Sequence, residues 1–69
     1  MKVLGYAMRV SDGDYLRLDD YSGEWYLCSI IHADLMDDPE DWEYEQVDKI
    51  YLTPDTKIVR VLRTAEEVQ

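Results

Sequence analysis

The sequence predicts a small, mainly β protein, and two observations carry that prediction. Large apolar residues recur at every second position in several short runs, which is the period of a strand with one buried face. Glycine, proline and aspartate cluster between these runs, where turns are expected. We therefore expect five strands and a short helix in the order βββ(short α)ββ, forming an antiparallel sheet or an SH3-like or OB-like half-barrel. An open α+β sheet that carries one helix is the alternative.

The first three strands are predicted in the N-terminal half of the chain. Every second residue of Leu4–Val10 is large and apolar, and Tyr15–Leu18 alternates again. The two runs predict a hairpin with a four-residue loop, Ser11–Asp14, in which Gly13 can adopt a positive φ. After a second turn, Glu24–Ile31 is rich in aromatic and β-branched residues, which predicts a central strand covered on both faces.

A short helix is predicted after the third strand. Asp38 can cap its start, Pro39 suits the first helical position, and acids follow in the first turn, where the helix dipole favours them. The alternation of Trp42–Glu45 favours a strand instead, so both conformations stay open. On a helix, three apolar side chains would dock on the sheet: Tyr44, Val47 and Tyr51.

The last two strands are predicted to form a second hairpin. Lys49–Leu52 and Lys57–Leu62 are apolar runs, and Pro54 between them suits the second position of a type I turn, Thr53–Thr56. Residues 64–69 are too few to nucleate a stable helix, so a frayed tail is expected there. A chain of 69 residues without a linker or internal repeat predicts one domain, residues 1–69.

The overall charge limits the classes of partner. The net charge of -9 makes direct binding to nucleic acid unfavourable. Cys28 is the single cysteine, so no intrachain disulfide can form, and a reducing, cytoplasmic location is expected. No apolar run approaches the length of a membrane span, so no membrane association is predicted.

The acids are concentrated in one part of the chain. Asp19–Asp48 holds 11 carboxylates and no Lys or Arg, and eight of the 11 lie in Asp34–Asp48, here called the acidic segment. On a helix, Asp41, Glu45 and Asp48 would form one stripe, and on a strand alternate acids would share a face, so either conformation makes a row of carboxylates. The predicted partner-binding residues are Asp34, Asp37, Asp38, Glu40, Asp41, Trp42, Glu43, Glu45 and Asp48. Trp42 is included because tryptophan is common in binding hot spots.

Other chemistry is poorly supported by the sequence. Asp12-Gly13-Asp14 lacks the ligand spacing of a calcium loop and is explained by turn chemistry. Cys28 and His32 would lie about 13 Å apart on a strand, too far for a nucleophile and its base. We predict no catalytic residues, no metal site and no cofactor, hence a protein that is not an enzyme.

Two hypotheses of function follow from these residues. The first is an acidic interaction protein that docks on and occludes a basic site of a partner, with a nucleic-acid-binding protein as the leading candidate. In size and charge alone, the chain is similar to small acidic inhibitors that bacteriophages encode against host nucleases or transcription machinery. The expected activity is therefore that of a phage-type inhibitor or nucleic-acid mimic. The second is a structural or accessory domain whose acidity only confers solubility and which pairs with itself through an exposed strand edge.

Overall fold

A computed structural model describes residues 2–64, and their main feature is an antiparallel sheet of four strands. The strands are β1 (Lys2–Ser11), β2 (Asp14–Leu18), β3 (Trp25–Cys28) and β4 (Lys57–Thr64), arranged in the order β3-β2-β1-β4. The mainly β class is confirmed. Four strands form where five were predicted, and the sheet is open, so the half-barrel form is not confirmed.

The first predicted hairpin is confirmed in β1 and β2, with a tighter turn than expected. Only Asp12 and Gly13 separate the strands, and Gly13 has φ = 83°, a conformation that favours glycine. The register of the hairpin shifts between Arg9 and Ser11. Such an irregularity increases the local twist, and β1 and β2 diverge beyond it.

The second predicted hairpin is wrong, because β4 pairs with β1 instead of with Lys49–Leu52. The β1–β4 ladder runs antiparallel from Lys2 opposite Thr64 to Arg9 opposite Lys57, eight residue pairs in all. A hairpin with the four-residue run Lys49–Leu52 would have offered half as many pairs. Pairing with β1 therefore satisfies more of the backbone hydrogen-bonding groups of β4.

Lys49–Tyr51 forms a 3₁₀ helix in place of the predicted strand. The turn that follows it is as predicted, since the Thr56 amide donates to the Thr53 carbonyl at 3.0 Å. The Thr56 hydroxyl donates to the Tyr51 carbonyl, and the Thr53 amide donates to that hydroxyl at 3.1 Å. Local bonds of this kind compete with a strand ladder, which explains the helical turn.

The third strand is shorter than predicted and lies at an edge of the sheet. β3 ends at Cys28, and the chain then turns, with the amides of His32 and Ala33 both donating to the Ser29 carbonyl. Tyr26 and Leu27 are exposed, so the expectation of a central strand covered on both faces is wrong. Residues 65–69, most of the predicted frayed tail, lie outside the described residues, whereas Thr64 ends β4.

The front face of the sheet carries the larger part of the core. It is formed by Tyr6, Met8, Leu16, Leu18 and Trp25, and the cover consists of Met36, Trp42, Val47 and Tyr51. Trp42 comes from a 3₁₀ helix, Pro39–Tyr44, which replaces the predicted α-helix. Neither helix within residues 2–64 has the length and apolarity needed to cross a bilayer.

The back face is covered by much smaller side chains. Ala7 and Val61 form its centre, and Ala33 from the turn after β3 packs on them. Gly5 lies under Leu35, and a Cβ atom at Gly5 would lie only 2.7 Å from the Cβ of Leu35. β1 is thus covered on both faces at its centre, whereas its alternation predicted one buried face.

Candidate interaction surface

The acidic segment begins at a backbone contact with the diverging strands β1 and β2. The Asp34 amide donates to the Leu16 carbonyl at 3.1 Å, and the Leu18 amide donates to Asp34 Oδ2 at 2.7 Å. Two residues later, Met36 exchanges both backbone hydrogen bonds with Tyr6, at 2.8 and 2.9 Å. Asp34 therefore has a structural role, and its half-buried carboxylate fixes the start of the segment.

Two tryptophans hold the middle and the end of the segment against the front face. Trp42 Nε1 donates to the Tyr6 carbonyl at 2.8 Å, and Trp25 Nε1 donates to the Gln46 carbonyl at 3.0 Å. The two indole rings are 5.6 Å apart between centroids and inclined at 45°. Each indole thus contributes apolar contact and satisfies its polar N–H on the backbone of the opposite layer.

The burial of Trp42 corrects the prediction that its ring contacts a partner. Only 2% of Trp42 is exposed, and its N–H group is already bonded to Tyr6, so the ring is part of the core. The sequence placed Trp42 among acids, and that context suggested an exposed position. Tyr44, predicted to dock on the sheet, is 84% exposed instead, while Val47 and Tyr51 pack on the core as expected.

The helix Pro39–Tyr44 begins as predicted and ends early. The Asp38 amide donates to Asp41 Oδ2 at 3.3 Å, and the Asp41 amide donates to the Asp38 carbonyl at 3.1 Å. Glu45 has an extended backbone and closes the helix. Because the helix stops at Tyr44, the predicted helical stripe of Asp41, Glu45 and Asp48 does not form.

The other carboxylates of the acidic segment differ in exposure. Asp41 and Glu45 are half-buried, like Asp34. None of the hydrogen bonds within residues 2–64 joins a carboxylate of the acidic segment to a Lys or Arg side chain. Five of its acids are exposed and are here called the acidic surface: Asp37, Asp38, Glu40, Glu43 and Asp48.

Two arginines of the sheet bind backbone carbonyls instead of acids. Arg63 Nη1 donates to the carbonyls of Ile30, Ile31 and Ala33 at 3.2, 2.9 and 3.0 Å. Arg17 Nη1 donates to the His32 carbonyl at 3.2 Å. These bonds hold the turn after β3 against the back face.

The remaining candidates from the sequence have local structural roles. Cys28 is half-buried beside Ala7 and Ala33, and burial raises the pKa of its thiol, which opposes formation of a nucleophilic thiolate. In the first hairpin turn, the Ser11 hydroxyl donates to Asp14 at 2.8 Å. No cluster of three or more potential metal-ligating side chains occurs within the described range 2–64.

The turn between β2 and β3 is organised by a carboxylate as well. The Tyr21 amide donates to Asp19 Oδ1 at 2.9 Å, and this bond is the main cause of the lowered pKa of Asp19, with the Ser22 hydroxyl adding to it. Gly23 completes the turn with φ = 73°. The acids outside the acidic segment thus include one that stabilises its own turn.

Comparisons with protein-family models, with curated proteins and with solved structures find no match to this chain. The function is therefore inferred from the geometry and charge of the acidic surface.

Proposed function

We propose that this protein is a non-enzymatic, cytoplasmic interaction protein whose acidic surface docks on a basic site of a partner and occludes it. The leading candidate for the partner is a nucleic-acid-binding protein, whose Lys and Arg side chains would otherwise neutralise phosphates. In that case the protein would act as an inhibitor that mimics nucleic acid. The observation that carries the proposal is the presence of five exposed carboxylates on a backbone fixed to the sheet.

The fixed backbone supports binding because less conformational entropy is lost on association. The segment is attached to the sheet at Asp34, Met36, Trp42 and Gln46, so its carboxylates are carried by an ordered backbone before a partner arrives. Preorganisation of this kind improves affinity without adding contacts. A surface of one sign also accelerates encounter with an oppositely charged partner, and this effect weakens as salt is added.

The aromatic contribution to the surface is assigned to Tyr44. It lies within the acidic segment between two glutamates and is 84% exposed, whereas Trp42 is buried. Tyrosine suits an interface because it offers a large apolar ring and a polar hydroxyl. Trp42 supports the surface by holding its backbone in place.

The burial of Trp42 also favours the second candidate function, a structural or accessory domain with acidity for solubility. Under that hypothesis Trp42 is a packing residue, as the structure has it, and the outward acids only keep the protein dispersed. The two candidates differ in one respect. Docking requires the acids of this surface in particular, whereas solubility depends on acids anywhere on the protein.

Affinity capture from the cells that produce the protein tests this difference. The immobilised protein is compared with Glu40→Gln/Glu43→Gln, which removes two charges from the acidic surface, and with Asp20→Asn/Glu24→Gln, which removes two exposed charges from the turn before β3. We expect the unmodified protein and the turn variant to retain a basic nucleic-acid-binding protein that salt releases. The surface variant should bind it several-fold more slowly.

Equal binding by the two variants would contradict docking through the acidic surface. An empty capture at both low and high salt would favour the accessory domain.

A further inference from the structure

The side chains of the 3₁₀ helix Pro39–Tyr44 form rows along its axis, because positions three apart eclipse in a helix of this type. The row of Pro39 and Trp42 faces the sheet, since Trp42 is buried in the core of the front face. The next row consists of Glu40 and Glu43, which are both exposed. Their backbone positions are about 6 Å apart along the axis, at a rise of about 2 Å per residue. This row therefore offers two exposed carboxylates at a short spacing.

The remaining row places an aromatic ring beside these carboxylates. It consists of Asp41 and Tyr44. The Asp41 carboxylate accepts from the Asp38 amide at the start of the helix, whereas Tyr44 is 84% exposed. A ring with so little contact to its own protein adds little to the core, so its apolar surface is available to a partner.

An exposed ring beside a row of charges has the features of a single nucleotide strand and not those of a duplex. In a duplex the bases are stacked inside, and an enzyme that acts on one of them must first extrude it. A single strand presents its bases directly. Sites that bind single strands therefore combine a cationic groove for the phosphates with aromatic side chains on which bases stack. In such a site, carboxylates can take the place of phosphates and a tyrosine ring the place of a base.

We propose that Tyr44 determines the class of partner: its ring enters the base-stacking site of a protein that binds single-stranded nucleic acid. Glu40 and Glu43 contact the cations of the same groove. The inference rests on the proposed docking function and adds the kind of nucleic acid whose place the protein takes.

Tyr21 is also exposed and follows two acids, but its surroundings differ from those of Tyr44. It lines a shallow cleft to which Arg17 also contributes, and a guanidinium group there repels the cations of a partner. The acidic segment around Tyr44 contains no Lys or Arg. Tyr21 is therefore the matched control for the ring of Tyr44.

Competition by nucleic acids tests the class of partner. The immobilised protein is loaded with the basic protein that it retains at low salt. The complex is then challenged with single-stranded DNA and RNA of mixed sequence, or with duplexes of the same sequence and length, at constant salt. We expect single strands to release the partner at a phosphate concentration about ten-fold lower than duplexes require.

The possible results of the competition separate the two proposals. Release by duplexes at the same or a lower concentration would overturn the inference and leave docking through the acidic surface intact. If neither form released the retained protein, or if nothing were retained, the protein would not occupy a nucleic-acid site, and both proposals would fail.

Substitutions of the two tyrosines test the role of the ring. Tyr44→Ala should weaken the complex about ten-fold, mainly through faster dissociation, because one stacked ring is lost. Tyr44→Phe keeps the ring, and Tyr21→Ala removes an exposed ring elsewhere, so each should change the Kd by less than about two-fold. Surface plasmon resonance at constant salt measures both rates, and unchanged melting temperatures exclude a loss of folding. Equal weakening by Tyr44→Ala and Tyr21→Ala would overturn the assignment of Tyr44.

Discussion

The front of the sheet is covered by large aromatic side chains, whereas the back is covered by small residues and a turn. On the front, Trp25 and Trp42 fill the space and donate their indole N–H groups to backbone carbonyls. On the back, the small side chains of Ala7, Ala33 and Val61 pack closely together. The guanidinium groups of Arg17 and Arg63 hold the turn after β3 against this face by donating to its backbone carbonyls. A small domain can thus attach irregular chain to both faces of one sheet through hydrogen bonds from side-chain N–H groups to backbone carbonyls.

The difference between the faces predicts which substitutions are costly. The front depends on the volume of a few large side chains, so truncation should be severe there. The back depends on close approach, so enlargement should be harmful there.

Trp42→Ala should have the largest effect. Truncation of a buried tryptophan typically costs about 3–5 kcal/mol. The net stability of a domain of this size is itself only about 3–5 kcal/mol, so the variant should be largely unfolded. Urea denaturation followed by circular dichroism measures this.

Trp42→Phe is the matched control, because it keeps an aromatic ring and removes the N–H donor. Tyr6 O also accepts from the Met36 amide at 2.9 Å, so that carbonyl keeps one partner and the loss should be about 1 kcal/mol. If Trp42→Ala lost no more stability than Trp42→Phe, the ring volume would not be what holds the front face.

Gly5→Ala tests the close approach on the back face. The added methyl group would lie 2.7 Å from the Cβ of Leu35 and 3.1 Å from the Met36 carbonyl oxygen, so the segment over β1 must move. Overpacking of this kind typically costs about 1–3 kcal/mol. The measurement is the midpoint of urea unfolding. If Gly5→Ala were more stable than the unmodified protein, the segment at Leu35 and Met36 could move away from β1 at no cost, which would contradict the close approach.

Arg63→Met tests the guanidinium contacts that hold the turn after β3. Methionine keeps much of the apolar stem but loses the donors to three carbonyls, which should cost about 1–2 kcal/mol. Arg60→Met is the control, since Arg60 is an exposed residue of the same strand and the substitution changes the net charge equally. If Arg63→Met and Arg60→Met lost equal stability, the loss would be caused by the change in net charge and not by the missing hydrogen bonds to the turn after β3.

The smallest effect should be a loss of stability at alkaline pH through Cys28. Burial raises the pKa of its thiol above the ordinary value of 9.0, so the folded state favours the protonated form. The stabilising contribution is present below the unfolded pKa and is lost as pH rises through the folded pKa. Thermal melts from pH 8 to 11 should decline less steeply for Cys28→Ala than for the unmodified protein. Parallel declines would show that other groups dominate this range.

The parts of the fold that could be predicted are those decided by neighbouring residues. The hairpin of β1 and β2 follows from two alternating runs around Asp12-Gly13, because glycine adopts the positive φ that the turn requires. The turn at Pro54 and the helix start at Pro39 follow from the fixed φ of proline. At these positions the local preference and the tertiary structure agree.

The candidate site was predictable in part. The position of the acids along the chain follows from the sequence alone, and five of the eight carboxylates are exposed. The structural roles of Asp34 and Asp41 could not be predicted from the sequence. The Asp34 carboxylate accepts a hydrogen bond from the Leu18 amide in a distant strand, and the Asp41 carboxylate accepts one from the Asp38 amide at the start of its own helix. The sequence neighbours of Trp42 are the same whether its ring faces water or the core, and its burial depends on distant residues, namely the core side chains that include Trp25 and the carbonyl of Tyr6.

Composition and local pattern by themselves determined the β class, the strong negative charge and its confinement to the middle of the chain. Tertiary structure decided that β4 pairs with β1, that β3 is an edge and that Trp42 is buried. The physical reason is the range of the interactions. Turn preferences depend on a few neighbouring residues, and the distribution of charge follows directly from the order of residues, so both can be predicted from the sequence. Ladder pairing and burial depend on which distant segments offer the most backbone partners and apolar contact, and that choice is made by the whole chain at once.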